Sequence, residues 1–106
     1  NMDSRKTDIS LLQVLQKDPT ITQRGIAVEI GLSLGTVNYC LKKLIEKGWV
    51  KTNNFCYSNN KKSYAYLLTP KGVEEKKRLT IEFIACKEKE YHQIKREIAR
   101  LKKEVS

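Results

Sequence analysis

The sequence predicts a mainly α-helical fold with one small β-hairpin and a long C-terminal helix. Three observations predict it. Two short amphipathic segments meet at Gly31 with a hydroxyl residue ahead of each, the hydrophobic period shortens from about 3.6 residues to about 2 between Trp49 and Leu68, and no helix breaker follows Gly72. A length of 106 residues suits one modest core rather than a core plus a separate catalytic lobe. The expected organisation is therefore a compact unit over 4–72 and a helical segment over 73–106. Asn1 reads as a cloning remnant ahead of Met2, the expected natural start.

The first apolar cluster is Ile9, Leu11, Leu12, Val14 and Leu15, with Ser4 and Thr7 as candidate caps and Asp18-Pro19 as the stop, which predicts a helix over about 6–17. Thr22 caps the second helix, and Ile21 before the cap faces Ile26 as a hydrophobic staple. That helix ends at Gly31. Ser33 caps the third, Leu32 and Val37 repeat the staple, and Leu34, Val37, Leu41, Leu44 and Ile45 make one apolar face. Gly48 suits a left-handed residue past its end, with Trp49 folding back on Leu44.

Residues 49–57 and 64–68 are β-prone and partly alternating, and 58–63 between them are polar, so this stretch reads as a hairpin with a basic tip. Thr69 and Pro70 then supply a cap and a first helical residue for a helix running to about Glu104. The junction of the second and third helices has a mechanism. A small residue lets two helices cross closely, a glycine makes the tight turn, and a branched residue fills the angle; Ala27, Gly31 and Val37 stand at those offsets. With the hairpin next in sequence, the pattern describes a winged helix-turn-helix, in which the third helix enters a DNA major groove and the hairpin lies along the backbone or minor groove.

Charge agrees with such a partner. Lysine and arginine number 21 against 12 acids, a net charge of +9, which favours a polyanion. Residues 51–72 hold four basic side chains and no acid, whereas the flanking segments interleave both signs as solvated helix faces do. On the polar face of the third helix, Asn38 can pair with adenine, Thr36 can meet a thymine methyl and Lys42 can reach guanine or phosphate.

The runs Ile26-Ala-Val-Glu-Ile-Gly-Leu-Ser-Leu-Gly-Thr-Val-Asn-Tyr39, Leu44-Ile-Glu-Lys-Gly-Trp-Val-Lys51 and Tyr66-Leu-Leu-Thr-Pro-Lys-Gly72 resemble MarR-type winged-helix regulators. With the tail Arg78-Leu-Thr-Ile-Glu-Phe83, they are most similar to the short MarR-family regulators associated with exopolysaccharide gene clusters. The resemblance implies a bacterial homodimeric transcriptional regulator, a repressor by expectation, on a pseudo-palindromic operator in double-stranded DNA. Carried over by position, the DNA-reading surface is Ser33, Gly35, Thr36, Asn38, Tyr39, Lys42 and Lys43, with wing contacts at Asn59, Asn60, Lys61 and Lys62. The likeness departs at the N-terminus. Full-length members carry further N-terminal helices that build the dimer and often a ligand pocket, and the residues before the first helix are too few for these. A pocket of that type is not expected, and no small-molecule effector is inferred.

Other classes find little support. No apolar run approaches the roughly 20 residues of a membrane span, and no Ser/His/Asp set, carboxylate pair or glycine-rich phosphate loop occurs, so neither a membrane protein nor an enzyme is expected. Cys40, Cys56 and Cys86 are odd in number and widely spaced, which suits a reducing cytoplasm, with Cys40 beside the core as a small hydrophobe. His92 has no ligand-spaced partner, and no metal or cofactor is expected. The competing class is a winged-helix module for protein contacts, its basic surface serving solubility.

In the last helix, Ile84, Tyr91, Ile98 and Val105 recur every seven residues, and Ile94 and Leu101 follow two of them by three. These are the a and d positions of a coiled coil, interrupted at d by Thr80 and Lys87. The expectation is a parallel homodimer through this seam. Leu79, Phe83 and Cys86 lie off it and are expected to anchor the helix on the preceding unit.

Overall fold

The computed structural model describes residues 4–57 and 61–106, with side chains for 4–53 and 65–106. In chain order the elements are α1 (Ser4–Lys17), α2 (Gln23–Ile30), α3 (Leu34–Glu46), β1 (Val50–Tyr57), β2 (Lys61–Leu68) and α4 (Pro70–Val105). The two strands pair antiparallel, from Val50 opposite Leu68 to Tyr57 opposite Lys61. This is the winged helix-turn-helix architecture with a long final helix.

Two boundaries differ from the pattern in the sequence. α1 starts at Ser4, so Thr7 lies within its first turn rather than capping it. Arg5 explains the extension, because its guanidinium donates to Cys86 Sγ at 3.2 Å and stands 3.8 Å from the Glu82 carboxylate, holding the first turn against α4. β2 starts at Lys61 rather than Tyr64, placing Lys61 and Lys62 in the ladder opposite Tyr57 and Cys56. Backbone pairing continues a strand past the point where its apolar alternation stops.

Leu11, Leu12, Leu15, Ile26, Val37, Leu41, Leu44 and Val50 are fully buried, and Ile9, Trp49 and Leu79 close the same core. Each such side chain contributes about 1.5–3 kcal/mol on burial, so three short helices hold together only through this shared centre. Leu34 and Ile45, expected on the buried face of α3, are 44% and 38% exposed. Leu34 is the first residue of the helix, and Ile45 lies one step round from the buried Val37, Leu41 and Leu44 line. Cys40 is half-buried against the core, where desolvation and, second, the Asp8 charge push its thiol pKa up.

The turns follow their residues. Thr22 and Ser33 cap α2 and α3 by accepting from the backbone N–H groups of Gly25 and Thr36. Gly31 and Gly48 take the left-handed conformation, at φ 82° and 78°. After α3, the Gly48 N–H donates to the Ile45 carbonyl and the Trp49 N–H to the Leu44 carbonyl, both at 3.0 Å, which is the Schellman ending read from Gly48 and Trp49.

α4 is clamped to that ending. Thr69 donates from its backbone to the Trp49 carbonyl at 2.9 Å and from its hydroxyl to the Gly48 carbonyl at 2.5 Å, while the same hydroxyl oxygen accepts from Gly72 N–H. Gly72 is buried against Trp49, and a Cβ there would overlap the Trp49 carbonyl oxygen. Further along, Leu79 is buried, Phe83 packs on the core and Cys86 is half-buried, as expected of the anchor. From Lys87 onward every residue is exposed, and the molecule reaches 71 Å in its longest dimension. Among the described residues no helix is long and apolar enough to cross a membrane, and no cluster of metal-ligating side chains occurs.

Candidate nucleic-acid interface

The helix-turn-helix fixes which side of α3 is free. Val37 is fully buried in the angle with α2, where Ala27 and Ile30 pack on the core, so the residues on the other side of α3 face outward. Ser33, Gly35, Thr36, Tyr39, Lys42 and Lys43 are all exposed there, and Asn38 is half-buried at the edge. The structure thus gathers all seven predicted positions of this helix on one side.

Their chemistry is uneven. Ser33 Oγ accepts from Thr36 N–H at 3.1 Å and shares a 2.8 Å hydrogen bond with its hydroxyl, so both side chains are engaged in capping. Tyr39 is 62% exposed, with Lys43 Nζ 5.5 Å from its ring centroid. Lys43 also approaches Glu46 at 3.9 Å, an exposed pair that contributes little. Lys42 makes no ion pair among the described residues. Tyr39, Lys42 and Lys43 therefore present a ring, a hydroxyl and two cations to solvent.

Asn38 is already held. Its amide nitrogen donates to Gln23 Oε1 at 3.1 Å, and the Gln23 amide nitrogen donates to the Tyr66 hydroxyl at 3.2 Å. Gln23 opens α2 and Tyr66 stands on β2, whose backbone N–H donates to the Pro19 carbonyl at 2.9 Å. A polar chain thus runs from the wing through α2 to the outer side of α3. Sequence reasoning missed Gln23 and Tyr66, because the links from Gln23 to Asn38 and Tyr66 span 15 and 43 residues and leave no periodic trace.

Of the wing residues, Asn59 and Asn60 lie outside the described residues, and so do the side chains of Lys61 and Lys62, whose backbones belong to β2. Lys51 and Lys71 stand exposed at the base of the hairpin, and Lys47 Nζ lies 4.6 Å from the Trp49 ring centroid.

Residues 4–51 match the family described as winged helix-turn-helix DNA-binding. None of the curated proteins matches the chain. Among solved structures, it is similar to the PcaV transcriptional regulator of Streptomyces coelicolor bound to its natural ligand, at 20% identity and a TM-score of 0.63 over 74% of this chain and 55% of that one. A MarR/EmrR family transcriptional regulator of Acinetobacter sp. ADP1 aligns at 28% identity and a TM-score of 0.58, over 79% of this chain and 57% of that one. A MarR family protein of Mycobacterium tuberculosis in complex with salicylic acid aligns at 20% identity and a TM-score of 0.63, over 93% of this chain and 75% of that one. The chain spans little more than half the length of the first two.

Proposed function

We propose that this protein is a transcriptional regulator of the MarR kind that binds double-stranded DNA as a homodimer on a pseudo-palindromic operator. The observation that carries the reading is the outward side of α3, where Tyr39, Lys42 and Lys43 stand exposed beside Asn38 on the second helix of a helix-turn-helix. In this reading α3 enters the major groove and the hairpin follows the backbone. The 28% identical MarR/EmrR regulator and the match over residues 4–51 support it. Repression of exopolysaccharide genes rests on the sequence likeness, and enrichment of bound fragments from genomic DNA tests it.

The homodimer rests on α4. Beyond Lys87 every residue of the helix is exposed, and Tyr91, Ile94, Ile98 and Leu101 are each about half-exposed along one stripe with Ile84 and Val105. Most helical stability in proteins comes from packing an amphipathic face, and a second copy is the occupant that the charges beside this stripe fit. Glu90, Glu97 and Glu104 fall at g and Glu88, Lys95 and Lys102 at e, so a parallel partner sets Glu90 against Lys95 and Glu97 against Lys102. An antiparallel partner would oppose mostly like charges. We divide the protein into a DNA-binding unit, 4–72, and a C-terminal helical segment, 73–106, whose start is anchored on that unit through Leu79 and Phe83 and whose pairing stripe runs from Ile84 to Val105.

Variants at the interface separate base reading from phosphate binding. Asn38→Ala and Lys42→Ala should leave the fold intact and cost about 1–3 kcal/mol of specific affinity wherever the side chain pairs bidentately with a base. Replacing Lys61 and Lys62 by alanine should weaken binding to all duplexes and flatten the salt dependence, whose slope is about −0.9 per neutralised phosphate, by roughly one unit for each phosphate no longer neutralised. Gel-shift titrations from low to high salt measure both effects. Unchanged operator affinity in Asn38→Ala and Lys42→Ala would remove α3 from the interface, and binding without salt dependence would point to the protein-interaction reading instead.

A further inference from the structure

Resting on the DNA-binding reading above, we propose that Gln23 is a positioning residue that, supported by Tyr66, sets Asn38 to select adenine at one operator position. An asparagine side chain that turns freely can present its carbonyl to a donor or its amide to an acceptor. Here one N–H of Asn38 is committed to Gln23 Oε1, and Gln23 is itself committed to the Tyr66 hydroxyl. The carbonyl oxygen and second N–H of Asn38 take no other hydrogen bond among the described residues. One acceptor and one donor side by side complement adenine, which shows the N6 donor and N7 acceptor in the major groove, and oppose guanine, whose O6 and N7 both accept.

The support is built into the fold at both ends. Gln23 follows the capping Thr22 as the first residue of α2, and Tyr66 is fixed by its own backbone hydrogen bond to Pro19, independently of its hydroxyl. The half-burial of Gln23, Asn38 and Tyr66 limits competition from solvent. Gln23 acts on the base through Asn38, and its removal should therefore alter which base is preferred rather than whether the protein binds phosphate.

The test measures wild type, Asn38→Ala, Gln23→Ala, Gln23→Glu and Tyr66→Phe against an enriched operator and all of its single-base replacements, with melting temperature and salt slope recorded for each. Asn38→Ala should abolish the adenine preference at one position. Gln23→Ala should reduce the preference at that same position from about tenfold to about twofold, with the other positions, salt slope and melting temperature unmoved. Tyr66→Phe should lose part of it. Gln23→Glu keeps an acceptor for the Asn38 amide, so it should retain the preference while binding all sequences more weakly. A full adenine preference in Gln23→Ala, an equal loss at every position, or a changed base preference in Gln23→Glu would overturn the proposal, and an undiminished preference in Tyr66→Phe overturns it if the alanine variant fails to fold. Wild type that binds no duplex in a salt-dependent way would refute the underlying DNA reading in the first arm, before any variant is compared.

Discussion

Ile94→Asp combined with Ile98→Asp is expected to convert a dimer into a monomer and to lower operator affinity by about two orders of magnitude or more. The two positions are neighbouring d and a sites on the exposed half of α4, 55% and 46% exposed in the single chain. Four carboxylates would meet across the pair, and like charges in a desolvated seam are strongly unfavourable. The fall in affinity follows from linkage: a dimer delivers its second α3 at an effective concentration in the millimolar range, worth about 10²–10⁴ in overall binding. Sedimentation equilibrium at micromolar concentration, with gel shifts on the same samples, measures both. A monomeric wild type, or an undisturbed dimer in the double variant, would refute the seam while leaving the α3 assignment standing.

Gly72→Ala should destabilise the fold by about 3 kcal/mol, near the upper end of ordinary overpacking. Alanine is the better helix former by about 1 kcal/mol, and at an open site that gain would decide the sign. Here the added Cβ meets backbone, overlapping the Trp49 carbonyl oxygen and lying 2.9 Å from its carbonyl carbon, and no side-chain rotation can relieve that. The first turn of α4 would have to lift from the end of α3, straining the Thr69 hydrogen bonds to Gly48 and Trp49. For a domain of this size the cost corresponds to a fall of roughly 10–20 °C in Tm. Gly35→Ala is the control, since nothing lies within 4 Å of a Cβ there and α3 should gain slightly. A thermal melt of Gly72→Ala at or above the wild-type midpoint would show that α4 is not held as described.

Much of this architecture was legible in the sequence, because its local signals are physical requirements. Thr22, Ser33 and Thr69 cap helices since an exposed helix N-terminus needs an acceptor, and Gly31 and Gly48 close turns that demand positive φ. Alternation and helical spacing located the core line Val37, Leu41 and Leu44. What the pattern misjudged was set by neighbours distant in the chain. Leu34 and Ile45 carry the right spacing but stay 44% and 38% exposed, and Arg5 in the first turn of α1 meets Glu82 and Cys86, which lie far along the chain on α4. The candidate site shows the same division: the outward residues of α3 follow from its amphipathic spacing, whereas the Tyr66, Gln23 and Asn38 chain exists only once three elements have been brought together.

The uninterrupted course of α4, from the clamp at Gly72 past Leu79 into its projecting half, has a consequence for which operators the protein can use. Each residue of a helix advances about 1.5 Å and rotates about 100°, so the angle between the proposed seam and the recognition helix is set by how many residues separate them. One residue inserted between Cys86 and Tyr91 should turn the seam by about 100° and leave the paired recognition helices facing away from a common side of DNA. Seven inserted residues should nearly restore the angle on a longer arm, and selection of operators from a library of half-site separations would reveal whether the accepted separation changes accordingly. The spacing of a palindrome would then be stored in the protein as a whole number of residues, far from any atom that touches a base.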